Sequence, residues 1–472
     1  MPVAAAVVFL LSLVPEVQSP GSAARPDCTS GQECQALALD AYDRHDFERF
    51  HDLAWRAIQY GPTRTPSLMY LLARAQSLSG RPDDAAVMLG RLAEQGVATD
   101  AATNPDFTSV RGLSSWPALQ RQILVVAASG QAIDGRDLAR RAAMAAASAT
   151  PARAIPESPV TAGPTPAVAA SPARAAAEAE TAPTALLTVR EALRLPLTAI
   201  VPAGLAYDRV SERFVLADRA GRRLVIADER SRHVVDLVNA DSAGFHDITG
   251  IEIDWRRGDL WVVSVDDPGN GGAPASTLHK LQLVSGRPLE RLSLPGDFGG
   301  ARFVDVSVSP GGTVFMLDAL GGRVFAVEPG SKHFALKCVL AMTHATTIAV
   351  VDDRFAYVAH ASGLMRVDTL TGSSQLVRNG PEPALLGLEH LRWARDALVG
   401  IAHLPDGRKQ AVSIPLVDGG LRAARVDVLD ADVALGGPDA VTLTADGMLY
   451  FLTKEPDPGG DGSFVVRSVR TR

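Results

Sequence analysis

The 472-residue sequence predicts a multidomain protein in which a small helical domain and a low-complexity linker precede an all-β domain of six blades. Three observations support this. From Glu33 to about Gly96, apolar residues recur at three- and four-residue steps. Between about Asp134 and Pro183, Ala, Pro, Ser and Thr dominate. From Leu186 onward, similar β-rich runs recur at roughly 40 to 50 residues. We therefore divide the chain into residues 1–24, 25–133, 134–185 and 186–472.

Residues 1–24 are typical of a signal peptide. The run "MPVAAAVVFLLSLV" has the length of a signal-peptide core, and small residues near Ala23 and Ala24 suit cleavage. The segment is too short to span a bilayer, and we expect no other transmembrane segment. Because no Lys or Arg precedes the core, a short N-terminal anchor or a misread start remains the alternative. We expect a periplasmic or secreted protein.

Charge and cysteine content narrow the function classes. A formal net charge of −7 and a pI near 5.8 argue against nucleic acid as a partner. Cys28 and Cys34 lie just after the expected cleavage site, and a disulfide is the favoured pairing in an exported chain. Cys338 has apolar neighbours and is expected to be a buried strand residue.

The helical domain contains two similar helix pairs. The segment "ECQALALDAYDRHDFERFHDLAWRAIQYGP" aligns with "SLMYLLARAQSLSGRPDDAAVMLGRLAEQG", which places His45 and Gly80 in equivalent turns. Small residues stand where the helices of each pair must approach closely. These are Ala38, Ala54, Ala73 and Ala85. The offset resembles the 34-residue period of tetratricopeptide repeats, with a generic helical hairpin as the alternative.

The segment from Asn104 to Ile123 resembles the closing segment that often follows such repeats. Phe107 and Trp116 would then cover the open end of the helical stack. The resemblance implies a TPR-like domain that binds a protein partner. The linker that follows is expected to be flexible to semi-extended, and we assign it no chemistry.

Six units share one plan, an apolar strand, a polar turn and an alternating second strand. They are "GLAYDRVSERFVLAD", "GIEIDWRRGDLWVVS", "DVSVSPGGTVFMLD", "TIAVVDDRFAYVAH", "HLRWARDALVGIAH" and "AVTLTADGMLYFLT". Their number and spacing predict a six-bladed β-propeller. The run "LRLPLTAIV", Leu193 to Val201, is the candidate for the strand that closes the last blade. A β-sandwich would explain the strands but not the six similar units.

Three runs carry a resemblance to a known family. "PAGLAYDRVSERFVLAD", "VDVSVSPGGTVFMLD" and "GLEHLRWARDALVGIAH" resemble blade openings of the SMP-30 and gluconolactonase group, which is NHL-like in architecture. The resemblance implies a divalent metal held in the central channel by a Glu from the first blade, an Asn from the third, an Asn from the fourth and an Asp from the fifth. Such a metal would polarise a lactone carbonyl and activate water.

Alignment of the six blades gives one ring position per blade. These positions are Ala203, Thr249, Val304, Thr346, Glu389 and Asp439. Ala203 stands for the family's glutamate, Val304 and Thr346 stand for its two asparagines, and Glu389 stands where the aspartate would be. A Ca²⁺ ion wants six to eight oxygen ligands, several of them charged. We therefore expect the family's metal site and its catalytic centre to be degenerate.

A non-catalytic interaction protein is the favoured function, with a protein or small ligand bound at the propeller mouth. The expected ligand-binding residues are Thr249, Asp305, Thr346, Glu389, His390 and Asp439. The alternative is a metal-dependent lactonase or esterase with a rebuilt site, in which Glu389, Asp439 and Asp305 hold Ca²⁺ or another divalent cation. Asp247 and His390 lie near enough in sequence to contribute. These acids would otherwise cap turns or bond strand-end amides.

Overall fold

The fold is taken from a computed structural model of the full chain. It describes residues 28–60, 65–128, 189–195, 200–229, 234–240, 242–340, 344–360, 363–379, 385, 387–403, 408–429, 438–444, 446–457 and 460–471. The signal peptide expected over residues 1–24 and the linker expected over 134–185 lie outside these ranges. In the described part of the chain, no helix has the length and apolarity needed to cross a bilayer.

In the N-terminal domain, the residues that the structure describes form six α-helices. They are α1 (Gly31–Asp43), α2 (Phe47–Tyr60), α3 (Pro66–Leu78), α4 (Pro82–Glu94), α5 (Thr108–Arg111) and α6 (Trp116–Ala128). Helices α1 to α4 pack as two consecutive hairpins. His45 and Gly80 occupy equivalent turns and both have a positive φ, 61° and 77°. The repeat that aligns these residues in sequence is therefore present in the backbone, although its tetratricopeptide nature stays a prediction.

The expected small and capping residues are buried in this domain. Ala38, Ala54, Ala73 and Ala85 are fully inaccessible to solvent. Phe107 is also fully buried and packs against Tyr70 with ring centroids 5.8 Å apart. Trp116 begins α6, which lies against α4. A disulfide joins Cys28 and Cys34 at the start of α1. The unpaired Cys338 is buried in a strand.

The described residues of the C-terminal domain form twenty-five strands. Blade 1 holds β2 (Pro202–Asp208), β3 (Arg213–Asp218), β4 (Arg223–Asp228) and β5 (Val234–Val238), and blade 2 holds β6 (Asp247–Asp254), β7 (Asp259–Asp266), β8 (Ala275–Gln282) and β9 (Pro288–Ser293). Blade 3 holds β10 (Phe303–Val308), β11 (Val314–Asp318), β12 (Arg323–Val327) and β13 (Ala335–Val339). Blade 4 holds β14 (Ala345–Val350), β15 (Phe355–His360), β16 (Gly363–Asp368) and β17 (Ser373–Leu376).

Blades 5 and 6 depart from the simple four-strand pattern. Blade 5 holds β18 (Leu388–Ala394), β19 (Ala397–His403), β20 (Lys409–Val417), β21 (Arg422–Ala423) and β22 (Asp427–Val428). Blade 6 holds β23 (Pro438–Leu443), β24 (Met448–Asp457) and β25 (Gly460–Arg470), and its outermost strand is β1 (Arg190–Leu195). The chain is thus a six-bladed β-propeller in which all pairings within the blades are antiparallel.

Ring closure comes from the strand that precedes the first blade, as the sequence predicts. β1 pairs with β25, so the last blade combines strands from both ends of the domain. The expected closing run began at Leu193 and ended at Val201, whereas the pairing strand is Arg190–Leu195. Leu193 and Leu195 point into the core and are buried, while Glu191 and Arg194 are exposed. The inner strands β2, β6, β10, β14, β18 and β23 contact one another in a closed circle around the channel.

The helical domain packs on one face of the propeller. We call this the lower face: it carries the hairpins that join each inner strand to the next strand, and the opposite face is the upper face. The Trp55 indole of α2 donates to the Trp255 carbonyl at 2.6 Å and covers Gly258. Arg91 of α4 donates to Ser211 at 2.5 Å. One hydrophobic cluster runs from the helices into blades 1 and 2.

Charged groups surround this hydrophobic contact between the domains. Asp84 accepts a hydrogen bond from the Ser285 backbone at 3.0 Å, and its neighbour Asp83 pairs with Arg287 at 2.7 Å. Arg81 lies 3.5 Å from the buried carboxylate of Asp259. Burial raises the pKa of Asp84 to about 6. The docked arrangement therefore places a carboxyl that titrates near neutral pH inside the interface.

We expect the closing strand to be essential for stability. Leu193→Asp places a carboxylate in the core of blade 6 and should lower the free energy of unfolding by about 3 kcal/mol or more. Urea denaturation measures the change. Glu191→Ala on the exposed side of the same strand is the control and should cost less than about 1 kcal/mol. Equal effects of the two substitutions would contradict a buried closing strand.

Asp84 should make stability fall as the pH rises. Its pKa is 3.8 when unperturbed and about 6 in the folded protein, so the folded state holds the proton more tightly. The contribution to stability is complete below pH 4 and is lost as the pH rises through 6. Asp84→Asn, whose amide oxygen can still accept from Ser285, should reduce this slope in urea titrations between pH 4 and 7, while the raised pKa of Glu252 keeps part of it. Asp83→Asn is the control and should retain it.

Candidate functional site

The ring positions lie at a repeated irregularity of the inner strands. In five blades, strand pairing skips one residue, and the skipped residue is the one expected at the ring. These residues are Ala203, Thr249, Val304, Thr346 and Asp439. In blade 5 the irregularity lies between Glu389 and Arg392. A bulge turns its unpaired residue away from the regular ladder. The same backbone device thus sets the ring position at the upper mouth in five blades, whereas Glu389 of blade 5 pairs with Ile401 and stands just before its bulge.

Two of the ring residues join neighbouring blades. The Thr249 hydroxyl in blade 2 donates to the Phe303 carbonyl of blade 3 at 2.7 Å. The Thr346 hydroxyl in blade 4 donates to the Leu388 carbonyl of blade 5 at the same distance. Both threonines therefore contribute to the packing of the ring itself, at positions where we expected ligand contacts.

Glu389 is held by two basic side chains. Its carboxylate lies 3.0 Å from His403 Nε2 and 3.1 Å from Lys409 Nζ. Partial burial opposes ionisation of this group, but hydrogen bonds from His403 and Lys409 outweigh it and lower the pKa of Glu389. His403 and Lys409 lie on adjacent strands of blade 5, opposite each other in register. Sequence reasoning missed both as partners of Glu389.

Asp439 stands beside this group, on the next blade. It is half-buried, and burial raises its pKa. The charge of Glu389 adds to the rise, while Lys409 and Lys454 oppose it. The mouth between blades 5 and 6 therefore brings together two carboxylates and several basic groups. This arrangement suits a polar ligand that carries both kinds of charge.

Asp305 and His390 lie one residue deeper than the ring, in blades 3 and 5. Asp305 is buried and accepts from the Thr347 hydroxyl at 2.5 Å and from the Ile348 amide at 3.1 Å. It bonds strand amides of the next blade and does not join Glu389 and Asp439 at the mouth. Burial lowers the pKa of His390, which has a φ of 50°. Asp247 is exposed and lies 3.4 Å from Arg222.

Below the ring, an ion pair crosses the channel. Arg392 Nε in blade 5 lies 2.9 Å from Glu252 Oε2 in blade 2, on the opposite side of the ring. Arg392 Nη1 also lies 3.5 Å from Asp305 Oδ2. The sequence carried a signal for this pair: a charged residue stands three positions after the ring residue in both inner strands, β6 and β18. One guanidinium thus ties three blades together inside the channel.

The donor set does not fit the metal site that the family resemblance implies. Ala203 and Val304 offer no side-chain oxygen, and the hydroxyl hydrogens of Thr249 and Thr346 are directed at carbonyls of neighbouring blades. Glu389, the remaining family carboxylate, already has two basic partners. Among the residues that the structure describes, no group of three or more His, Cys, Asp or Glu side chains is placed to hold an ion.

Comparison with known proteins finds distant structural similarities. No protein-family model matches the sequence, and no curated protein is significantly similar to it. Among solved structures, the allergen Mala s 1 of Malassezia sympodialis is 16% identical with a TM-score of 0.47, covering 61% of this chain and 96% of the allergen. A gluconolactonase from Xanthomonas campestris is 15% identical with a TM-score of 0.41, covering 60% and 89%. Virginiamycin B lyase from Staphylococcus aureus is 10% identical with a TM-score of 0.42, covering 61% and 100%.

Removing the guanidinium from the channel should be costly. Arg392→Met leaves Glu252 and Asp305 buried without their shared partner, so we expect a loss of about 3–5 kcal/mol in the free energy of unfolding at pH 7. Arg392→Met combined with Glu252→Gln should lose less, because one unpaired carboxylate is gone. Chemical denaturation measures both. Arg395→Met on the exposed turn is the control, and a loss as large there would contradict the argument.

Proposed function

We propose that this chain is an exported, non-catalytic binding protein whose propeller holds a small polar ligand at the upper mouth. The observation that supports the proposal is that four of the six ring residues are not available to a metal. Thr249 and Thr346 bond neighbouring blades to each other. Ala203 and Val304 have no side-chain oxygen. What remains for a ligand is the mixed-charge group around Glu389, Lys409 and Asp439. Mixed charge of this kind favours orientation and selectivity over metal chemistry.

The helical domain is the proposed site for a protein partner. Domains built of stacked helical hairpins commonly bind partners on extended concave surfaces, which supports this choice. The Cys28–Cys34 disulfide supports a location outside the cytoplasm, because such bonds persist in oxidising compartments. When the helical domain is packed on the propeller, the two proposed binding surfaces have a fixed position relative to each other.

A metal-dependent lactonase or esterase with an altered site is the second candidate. The observation in its favour is the closeness of Glu389 and Asp439, whose mutual repulsion a cation would relieve. Two of the family's four ligand positions are apolar, so this ion would need other donors. Gluconolactonase is the activity named for one solved structure above, but that likeness is too distant to carry an activity.

Metal analysis and hydrolysis assays separate the two candidates. The purified full chain, dialysed against Ca²⁺ and then against buffer, should retain far less than one divalent ion per molecule and should not hydrolyse a panel of γ- and δ-lactones with added Ca²⁺, Mn²⁺ or Zn²⁺. Lactone turnover that is lost in Glu389→Gln would overturn the non-catalytic proposal and establish the alternative.

The binding proposal has its own test. A thermal-shift screen of amino acids and sugar acids should find at least one compound that raises the melting temperature, and Lys409→Met with Glu389→Gln should abolish the shift. Glu328→Gln removes an exposed carboxylate of blade 3 and is the matched control. A screen without any stabilising compound, or shifts that persist in the double variant, would count against ligand binding at this mouth.

A further inference from the structure

Two adjoining cavities open on the lower face, away from the candidate site at the mouth. The first, of about 190 Å³, lies between α2 and blades 1, 2 and 6. The second, of about 180 Å³, lies under the channel and reaches its central ion pair. Residues shared by both walls are Glu252, Ile253, Trp255, Leu443 and Thr444. The cavities are therefore neighbours, and either is smaller than the roughly 300–1,000 Å³ of a pocket for a drug-sized ligand.

Aromatic side chains from both domains form much of the wall. The first cavity is lined by Trp55 and Tyr60 of α2 and by Tyr207 and Trp255 of the propeller. Trp393 adds a further indole in the second cavity. The Trp55 indole N–H donates to the Trp255 carbonyl, so the rest of the ring contributes apolar surface to the cavity wall. Walls of this composition favour a ligand with a flat apolar or aromatic body.

Glu252 lines both cavities and shares the guanidinium of Arg392 with Asp305, which lies behind the wall. When Glu252 is ionised, these three groups carry one formal negative charge in excess. The Arg256 guanidinium, 4.7 Å from the Trp255 ring centroid, is a neighbouring positive charge. The other acidic groups of the two walls have their own basic neighbours. These pairs are Asp254 with Arg257, Asp208 with Arg213, and Asp446 with Arg209. Arg395 is exposed at the rim.

We propose that the two cavities form a binding site for a small organic cation, with its ammonium beside Glu252 and its apolar body against Trp255 and the aromatic side chains of α2. A cation next to a carboxylate and aromatic faces gains from both the charge and the ring quadrupoles. Because α2 supplies one wall, the site is complete only when the helical domain is docked. Such a ligand would also hold the two domains together.

Titration of Glu252 gives this site a pH signature. Burial raises the pKa of Glu252 to about 7, with the charges of Asp305 and Asp254 adding to the rise and that of Arg392 opposing it. A bound cation favours the ionised carboxylate, so binding should release a proton. The affinity should accordingly increase as the pH rises from 6 to 8, a range in which an alkylamine stays protonated.

The experiment uses three indole probes of similar shape and different charge with the full chain. Tryptamine is a cation, tryptophol is neutral, and indole-3-acetate is an anion at pH 7.5. Isothermal titration calorimetry should show tryptamine binding at least tenfold tighter than tryptophol and no binding of indole-3-acetate. In buffers of different ionisation enthalpy, tryptamine binding should show proton release. The proposal is overturned if tryptamine does not bind, or binds no better than tryptophol.

Variants locate the binding. Glu252→Gln should weaken tryptamine binding at least tenfold and remove the pH dependence of the affinity. The variant should still fold because Arg392 keeps Asp305 as its partner. Tyr60→Ala, at a half-exposed position of α2, should weaken tryptamine binding about threefold, and the variant should remain folded. Glu328→Gln is the control for surface charge and should leave tryptamine binding unchanged. Unchanged affinity in Glu252→Gln would place the site elsewhere and refute the proposal.

Discussion

Closure of the ring by β1 is the interaction on which the other features depend. A propeller blade exposes unpaired strand edges unless the circle is complete, and β1 completes it by pairing with β25. The circle fixes blades 2 and 5 opposite each other, which allows Arg392 to reach Glu252 across the channel. It also places Arg190, at the start of β1, at the outer edge of blade 6. Blade 6 adjoins blade 1, where the helical domain docks.

Inside this ring, some of the positions that could hold a metal instead make hydrogen bonds between blades. In five of the blades, a bulge at the start of the inner strand offers one side chain to the channel, whatever that side chain is. Where it is a threonine, the hydroxyl joins the next blade, and where it is alanine or valine, it adds apolar contact. The buried charges of the channel lie lower and neutralise most of one another. The same backbone plan can therefore serve packing at the upper mouth and recognition at either end.

The sequence predicts the repeats better than the partners of its charged residues. Period and strand pattern are local properties, so the six blades, the turn positions of His45 and Gly80 and the closing strand could all be read from it, with the closing strand displaced by a few residues. Alignment of the blades gives the ring positions, but the bulges found there are visible only in the strand register. By contrast, Glu252 and Arg392 are far apart in sequence and meet only because the ring has six members. The docking of α2 on blade 2 depends on complementary surfaces of the two domains, which cannot be predicted from the periodicity of the sequence.

That docking changes how the two domains can act. Capture by two tethered modules requires each to move freely, whereas here the helices cover hairpins of blades 1 and 2. The contact is rich in charged groups, including the titrating carboxyl of Asp84, and interfaces of this kind are commonly reversible. A ligand that contacts both α2 and the propeller would shift this balance toward the docked form by its own binding free energy.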